Sequence, residues 1–224
     1  AHQAWYGGWT VYASGEHFAE AGEFSAVGKA PNLAARSTRL AGLLIDRRFG
    51  LVPWQPAWLL APVALVALIR RGGDRPALVL PLAAGWLFAV FAAVTMHGWW
   101  WPGRHALVVL PLAVIAICCW AGSSRVPLVA FSAAAAAGLW NYVWTAVEGL
   151  RGEITWAVGF FDTGNPLYRL YAGVFPDYTQ RGSSKWVLHL AWVAVLVASA
   201  AWTAARRRPP EAASAGRPAP AATR

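Results

Sequence analysis

Charged residues along this chain are gathered into short clusters, and between the clusters the sequence runs apolar. Reading for stretches free of Asp, Glu, Lys and Arg picks out residues 49–69, 76–96, 106–124, 126–147 and 186–205. Each holds about 19 to 22 residues, and a helix needs about 20 to cross a ~30 Å hydrocarbon layer. A backbone in lipid must satisfy its own polar groups, so runs of this length are expected as helices. Pro62, Pro81 and Pro111 lie inside them. In a membrane they mark kinks whose freed carbonyls find partners on neighbouring helices. The fold class expected is therefore all-α: a polytopic helical membrane protein of about five transmembrane helices.

The segments between the runs set an orientation. Arg70, Arg71 and Arg75 crowd the first link, Arg125 sits in the third, and Arg206, Arg207 and Arg208 follow the last run. With five alternating spans these share one side, which the positive-inside rule makes cytoplasmic. The C-terminus is then cytoplasmic, and the bacterial inner (plasma) membrane is the expected location. The outer side receives residues 1–48, the loop from His97 to His105, and the loop 148–185, with eight of the ten acidic residues. Within the first segment, residues 32–48 read as a helix with Asn32 as cap. Leu33, Leu40, Leu43 and Leu44 share a face there, with Arg36, Arg39, Asp46 and Arg47 largely off it. An interfacial helix on the outer surface fits this pattern, as does a helix packed in an external domain. The tail 206–224 is rich in Pro and Ala and is expected to be disordered.

Composition sharpens this picture. The chain of 224 residues is 58% hydrophobic and only 13% charged, too little charge to cover a soluble surface of this size. Its 15 tryptophans concentrate near the ends of the runs, as in an aromatic belt, with Trp54, Trp58, Trp99, Trp100, Trp101, Trp144 and Trp186 at outer ends and Trp120 and Trp202 at inner ones. The net charge of +9 is spread between the apolar runs and forms no single basic face, so nucleic acid is not an expected partner. Membrane lipid is. The adjacent Cys118 and Cys119 fit disulfide geometry badly and read as small helical hydrophobes. No metal-ligand spacing occurs, and no phosphate-cradling glycine loop. Asp162-Thr163-Gly164 stands alone, with no second copy and no strand pattern around it; residues 162–166 read as a turn. The opening residues lack the basic and apolar regions of a signal peptide, and the chain reads as the C-terminal part of something longer.

Candidate chemistry centres on the stretch from His97 to His105 (HGWWWPGRH), where a cation stands at a helix entrance. Arg104 there could grip a phosphate bidentately, with tryptophans flanking a prenyl chain or sugar. A snorkelling arginine among belt tryptophans explains the same residues without a ligand. Upstream, Leu44-Ile45-Asp46-Arg47-Arg48-Phe49-Gly50-Leu51-Val52-Pro53-Trp54-Gln55-Pro56 resembles a recurring bacterial block, Leu-x-Asp-x-x-Phe-Gly-Leu-x-Pro-x-x-Pro, followed by a span. Together with the Trp-rich loop, Pro102-Gly103-Arg104 and the run containing Pro111, it resembles the GT-C superfamily of membrane glycosyltransferases that use polyprenyl-phosphate sugars. The loop's usual Gly-Gly is here Gly98-Trp99, and the second proline after Pro111 is missing. The resemblance implies a C-terminal membrane portion contributing scaffold and substrate contacts through Arg104, His105, Arg47 and Asp46. The partner implied is a polyprenyl-phosphate-linked sugar. The catalytic carboxylate of such enzymes, with any divalent metal, belongs to a first outer loop outside this chain, so this chain alone is expected to be inactive and to hold no cofactor. The competing expectation is a non-catalytic membrane protein: a transport or lipid-translocation subunit, or an inactive scaffold. Ion transport is disfavoured because His189 is the one ionisable residue read inside a run.

Overall fold

The computed structural model describes Gln3 and residues 33–71, 76–91, 106–155, 159–180 and 182–205. Arg104, His105, the tryptophan loop, Asn32 and the tail 206–224 lie outside the described residues. Among those described, every regular element is helical and there is no strand. The helices are α1 (Leu33–Ser37), α2 (Arg39–Ile45), α3 (Leu51–Trp54), α4 (Ala61–Arg71), α5 (Pro76–Phe91), α6 (Leu110–Ala121), α7 (Arg125–Leu150), α8 (Pro166–Ala172) and α9 (Ser184–Ala205). Two 3-10 turns, Pro56–Leu60 and Phe160–Asp162, join them.

Among the described residues, two helices, α7 and α9, are long and apolar enough to cross a membrane. The first apolar run is instead broken. Pro56 has no N–H to continue α3, so the chain passes through Gln55 and a 3-10 turn before α4 begins. Proline is tolerated within the first turn of the next helix, where Pro62 sits. In the third run, α6 is 12 residues long and starts only at Leu110, with Pro111 in its first turn. Conversely, α7 extends beyond its apolar run to Leu150 and so carries Glu148 within the helix.

At the centre, α4 packs against α6 and α9, while α7 lies along α6 and the Pro56–Leu60 turn. Helices α1 and α2 cover the end of α5. On them Leu33 and Leu40 are exposed, whereas Arg36, Ala41, Leu43 and Ile45 are buried. The reason lies at the end of α5. Arg36 Nη1 donates to the Phe91 carbonyl at 2.6 Å and Arg39 Nη1 to the Val90 carbonyl at 3.4 Å. Cations favour the carbonyl end of a helix, so these arginines turn inward at the expense of the leucines. Arg70 likewise donates to Thr203 O in the last turn of α9.

Burial on the two long helices is inverted relative to a soluble protein. In their most apolar windows only 11% of α7 and 6% of α9 is buried. On α7 the buried positions are Gly138, Asn141, Thr145 and Glu148, spaced as one helical stripe, while Leu139, Tyr142 and Val143 face outward. His189 is the buried residue of α9.

Candidate functional site

The block from Asp46 to Gly50 is a tight reversal between α2 and α3. Asp46 Oδ1 accepts the amides of Arg48 at 2.7 Å and Phe49 at 2.8 Å, and the Gly50 amide returns to Asp46 O at 2.9 Å. A Cβ on residue 50 would stand 2.5 Å from both the Asp46 nitrogen and oxygen, so only glycine fits. The Asp-x-x-Phe-Gly spacing thus has a local physical cause: a carboxylate gathers two amides and a glycine lets the backbone fold onto them.

Arg47 ties this turn to the segment after α8. Its amide donates to Pro176 O at 2.8 Å, and its carbonyl accepts the Tyr168 hydroxyl at 2.8 Å. Its guanidinium donates to Phe175 O at 3.2 Å and Gly173 O at 3.3 Å, just past the carbonyl end of α8. Burial, reinforced by the Asp46 charge, pushes the Tyr168 hydroxyl well above its ordinary value, so it remains a donor. Arg48 points the other way, onto Asp177 Oδ2 at 3.0 Å and over the Phe161 ring at 4.7 Å. Burial alone would raise the Asp177 carboxyl. The Thr179 hydroxyl and the Arg48 charge outweigh it and hold that carboxyl below its ordinary value of 3.8. Asp46 and Arg47 are therefore brought close together, and both make hydrogen bonds that build the fold.

Beneath the turn lies a buried aromatic cluster. Trp54 stacks on Tyr168 with centroids 4.4 Å apart and meets Phe160 edge-on at 5.2 Å, and Phe49 joins them. Trp54 is 8% exposed, so it is a core residue where the belt pattern had placed it at an interface. Its Nε1 donates to Arg48 O at 2.8 Å, which satisfies its polar edge.

Next to this cluster a polar seam joins α7 to the residues before α8. The helix break at Pro56 frees carbonyls, and Asn141 takes them up. Its Nδ2 donates to Trp54 O at 3.1 Å and Pro53 O at 3.3 Å, and the Tyr171 hydroxyl adds a second donor to Pro53 O at 2.6 Å. Asn141 Oδ1 accepts from Asn165 Nδ2 at 2.8 Å. Asn165 in turn caps α8, its Oδ1 accepting the amides of Leu167 and Tyr168. The expected turn over residues 162–166 is thus a helix cap. Glu148 completes the seam by accepting from Trp144 Nε1 at 2.8 Å, Gly164 N at 2.7 Å and the Thr163 hydroxyl. Thr145 donates to Asn141 O at 2.7 Å. Elsewhere, His189 Nδ1 is hydrogen-bonded to the Tyr178 hydroxyl.

Asn141, Thr145 and Glu148 did not stand out from an apolar run. Their signal was available in the spacing i, i+4, i+7, which places these three side chains on one side of a largely apolar helix. Among the described residues, no three His, Cys, Asp or Glu side chains come together as a metal site.

An apolar groove of about 380 Å³ is lined by residues of α4, α5 and α6. Leu51 and Trp58 line it near the Asp46 turn, Leu65 and Ile69 continue along α4, and Trp86 and Ala113 form the opposite wall. No lining residue is charged.

Compared with protein-family models, with curated proteins and with solved structures, the chain has no match.

Proposed function

We propose that this chain is the membrane-embedded, carrier-binding portion of a glycosyltransferase that takes sugar from a polyprenyl-phosphate donor at the outer face of a bacterial inner membrane. In this reading all five apolar runs span the bilayer, and the C-terminus is cytoplasmic. The observation that carries it is the groove. It is uncharged, runs from Leu51 in α3 along α4 to Ile69, and begins beside the Asp46–Gly50 turn. A long hydrocarbon chain lying there would exchange contacts with lipid for van der Waals contacts with the groove walls, while its phosphate stays at the polar end. The exposed apolar faces of α7 and α9 support the membrane reading, because water would penalise them and lipid does not. Inward-facing arginines support the alternation of spans: Arg36 and Arg39 meet the end of α5 on one side, and Arg70 meets the end of α9 on the other.

Topology is tested with single cysteines in a chain lacking Cys118 and Cys119. Probes at Ser14, Gly103 and Ser183 should label from outside, and probes at Gly72 and Ser214 only after permeabilisation. Outside labelling at Gly72 would break the five-span arrangement. Carrier binding is tested with a photoactivatable polyprenyl phosphate. Labelling should map to α4 and α6 and fall sharply in Leu65→Trp and Ala113→Trp, which fill the groove. In the full-length enzyme, Arg104→Ala should lower activity roughly ten- to a hundredfold at subsaturating donor, the loss of a charge-assisted contact worth about 1.5–3 kcal/mol.

A second reading, an inactive scaffold or a lipid-translocation subunit, is favoured by one observation. Asp46 and Arg47 are engaged in turn formation and helix capping, which a protein without catalysis needs equally. Carrier labelling without any sugar transfer by the full-length protein would select this second reading.

A further inference from the structure

A second cavity, of about 260 Å³, lies between α7 and the helix break after Trp54. We propose that it binds the hydroxyl end of a neutral lipid, such as a diacylglycerol, at a place separate from the carrier groove. The proposal rests on the membrane reading above and adds a second ligand class to it.

The chemistry of the lining selects the ligand. Trp54, Gln55, Gly138, Asn141, Tyr142 and Thr145 contribute, with Leu139, and none is charged. An ionic headgroup would find no counter-charge there. The amide of Asn141 is consumed by the carbonyls of Pro53 and Trp54 and by Asn165. Gln55 is different: its Oε1 is buried and has no hydrogen-bond partner. A buried acceptor without a donor carries a cost of desolvation that a ligand can remove. This oxygen presses on Gly138, where an added Cβ would fall 1.1 Å from it. A hydroxyl group can donate to Gln55 Oε1 and supply the missing bond, whereas an ether oxygen has no proton to give.

The position selects a lipid. Leu139 and Tyr142, on the cavity rim, are 61% and 62% exposed, so the opening gives onto the apolar flank of α7. At 1.5 Å per residue, Thr145 and Gly138 stand about 8 Å and about 18 Å from the Leu150 end of the helix. That range runs from the level of lipid glycerol into the hydrocarbon, where a ligand must bring its own acyl chains. The volume is slightly below the ~300 Å³ at which pockets begin to hold drug-sized molecules, so one glycerol unit with its hydroxyl fits better than a sugar chain.

The test uses the whole chain in phosphatidylcholine nanodiscs, with dioleoylglycerol and its O-methyl ether as probes and native mass spectrometry as readout. The alcohol should bind the wild-type protein about fivefold more tightly than the ether, the effect of one hydrogen bond. Gln55→Leu should erase that preference, and Gln55→Glu, which keeps an acceptor, should retain part of it. Equal binding of alcohol and ether to the wild-type chain would overturn the proposal, and so would a preference that survives Gln55→Leu. The alcohol–ether comparison needs no variant, so it decides the matter even if Gln55→Leu fails to fold. Failure of the membrane reading is a different result: the chain would not enter nanodiscs at all.

Discussion

The polar seam and the apolar groove lie on opposite flanks of the Pro56–Leu60 turn. In the seam, Asn141, Thr145, Glu148, Thr163 and Asn165 are at most 6% exposed, and each has a defined donor or acceptor. In the groove, α4, α5 and α6 approach through Trp58, Leu65, Leu82, Val109 and Ala113. The seam leaves few alternatives, because a hydrogen bond has one good geometry and a buried polar group left without one is costly. The groove is held by contacts that have no preferred direction, so its walls can move by fractions of an ångström at little cost. On the proposed carrier reading, the rigid junction would keep the helix break in register while the adaptable slot takes a flexible chain.

Asn141→Leu should separate the two regions most clearly. It removes the donor to Trp54 O and the acceptor of Asn165 Nδ2, both inside the protein. Two orphaned polar groups should cost about 2–5 kcal/mol, read by reversible unfolding in lipid or detergent. Limited proteolysis should then cut between Phe160 and Gln180 in the variant well before the wild type. If Leu65→Val in the groove wall costs as much as Asn141→Leu, the contrast between the regions is wrong.

Gly138→Val sharpens the same contrast at a single contact. Its Cβ would overlap the Gln55 side chain, and overpacking of this kind costs about 1–3 kcal/mol. Gln55→Ala in the same chain should recover most of that loss, so the double-mutant cycle should show strong coupling. Additive effects would mean that the two residues do not meet.

The smallest effect is in pH. Asp177 has a lowered folded pKa, so its contribution is full above its unfolded value near 3.8 and is lost as pH falls through the folded one. Stability should therefore decline below about pH 4, and Asp177→Asn should flatten that part of the profile. A decline that begins near neutral pH and survives Asp177→Asn would assign the dependence to another group.

Much of this arrangement was legible in the residues. Long charge-free runs announce helices whatever their neighbours do, because a backbone in an apolar setting must pair within itself. The stretch 162–166 announced a local reversal, since Asp, Asn, Gly and Pro act on their own backbone. The reversal at Asp46–Gly50 was not legible, because it falls where a helix over 32–48 was expected to run into the first span. Which residues of 33–45 turn inward was less legible. Leucine spacing gives a face, but Arg36 and Arg39 had carbonyls of Val90 and Phe91 to reach, some fifty positions away, and those bonds set the register.

By itself, then, the sequence determined the all-helical class and the turn at residues 162–166. These depend on interactions within a few residues along the chain. What the polar side of α7 meets was decided only by the tertiary structure. Asn141, Thr145 and Glu148 acquired their roles when Pro53, Trp54, Thr163 and Asn165 arrived from other parts of the chain. The groove and the second cavity belong to the same category. Each is a space between helices, and no local pattern encodes the distance between two elements that meet only after the chain has folded.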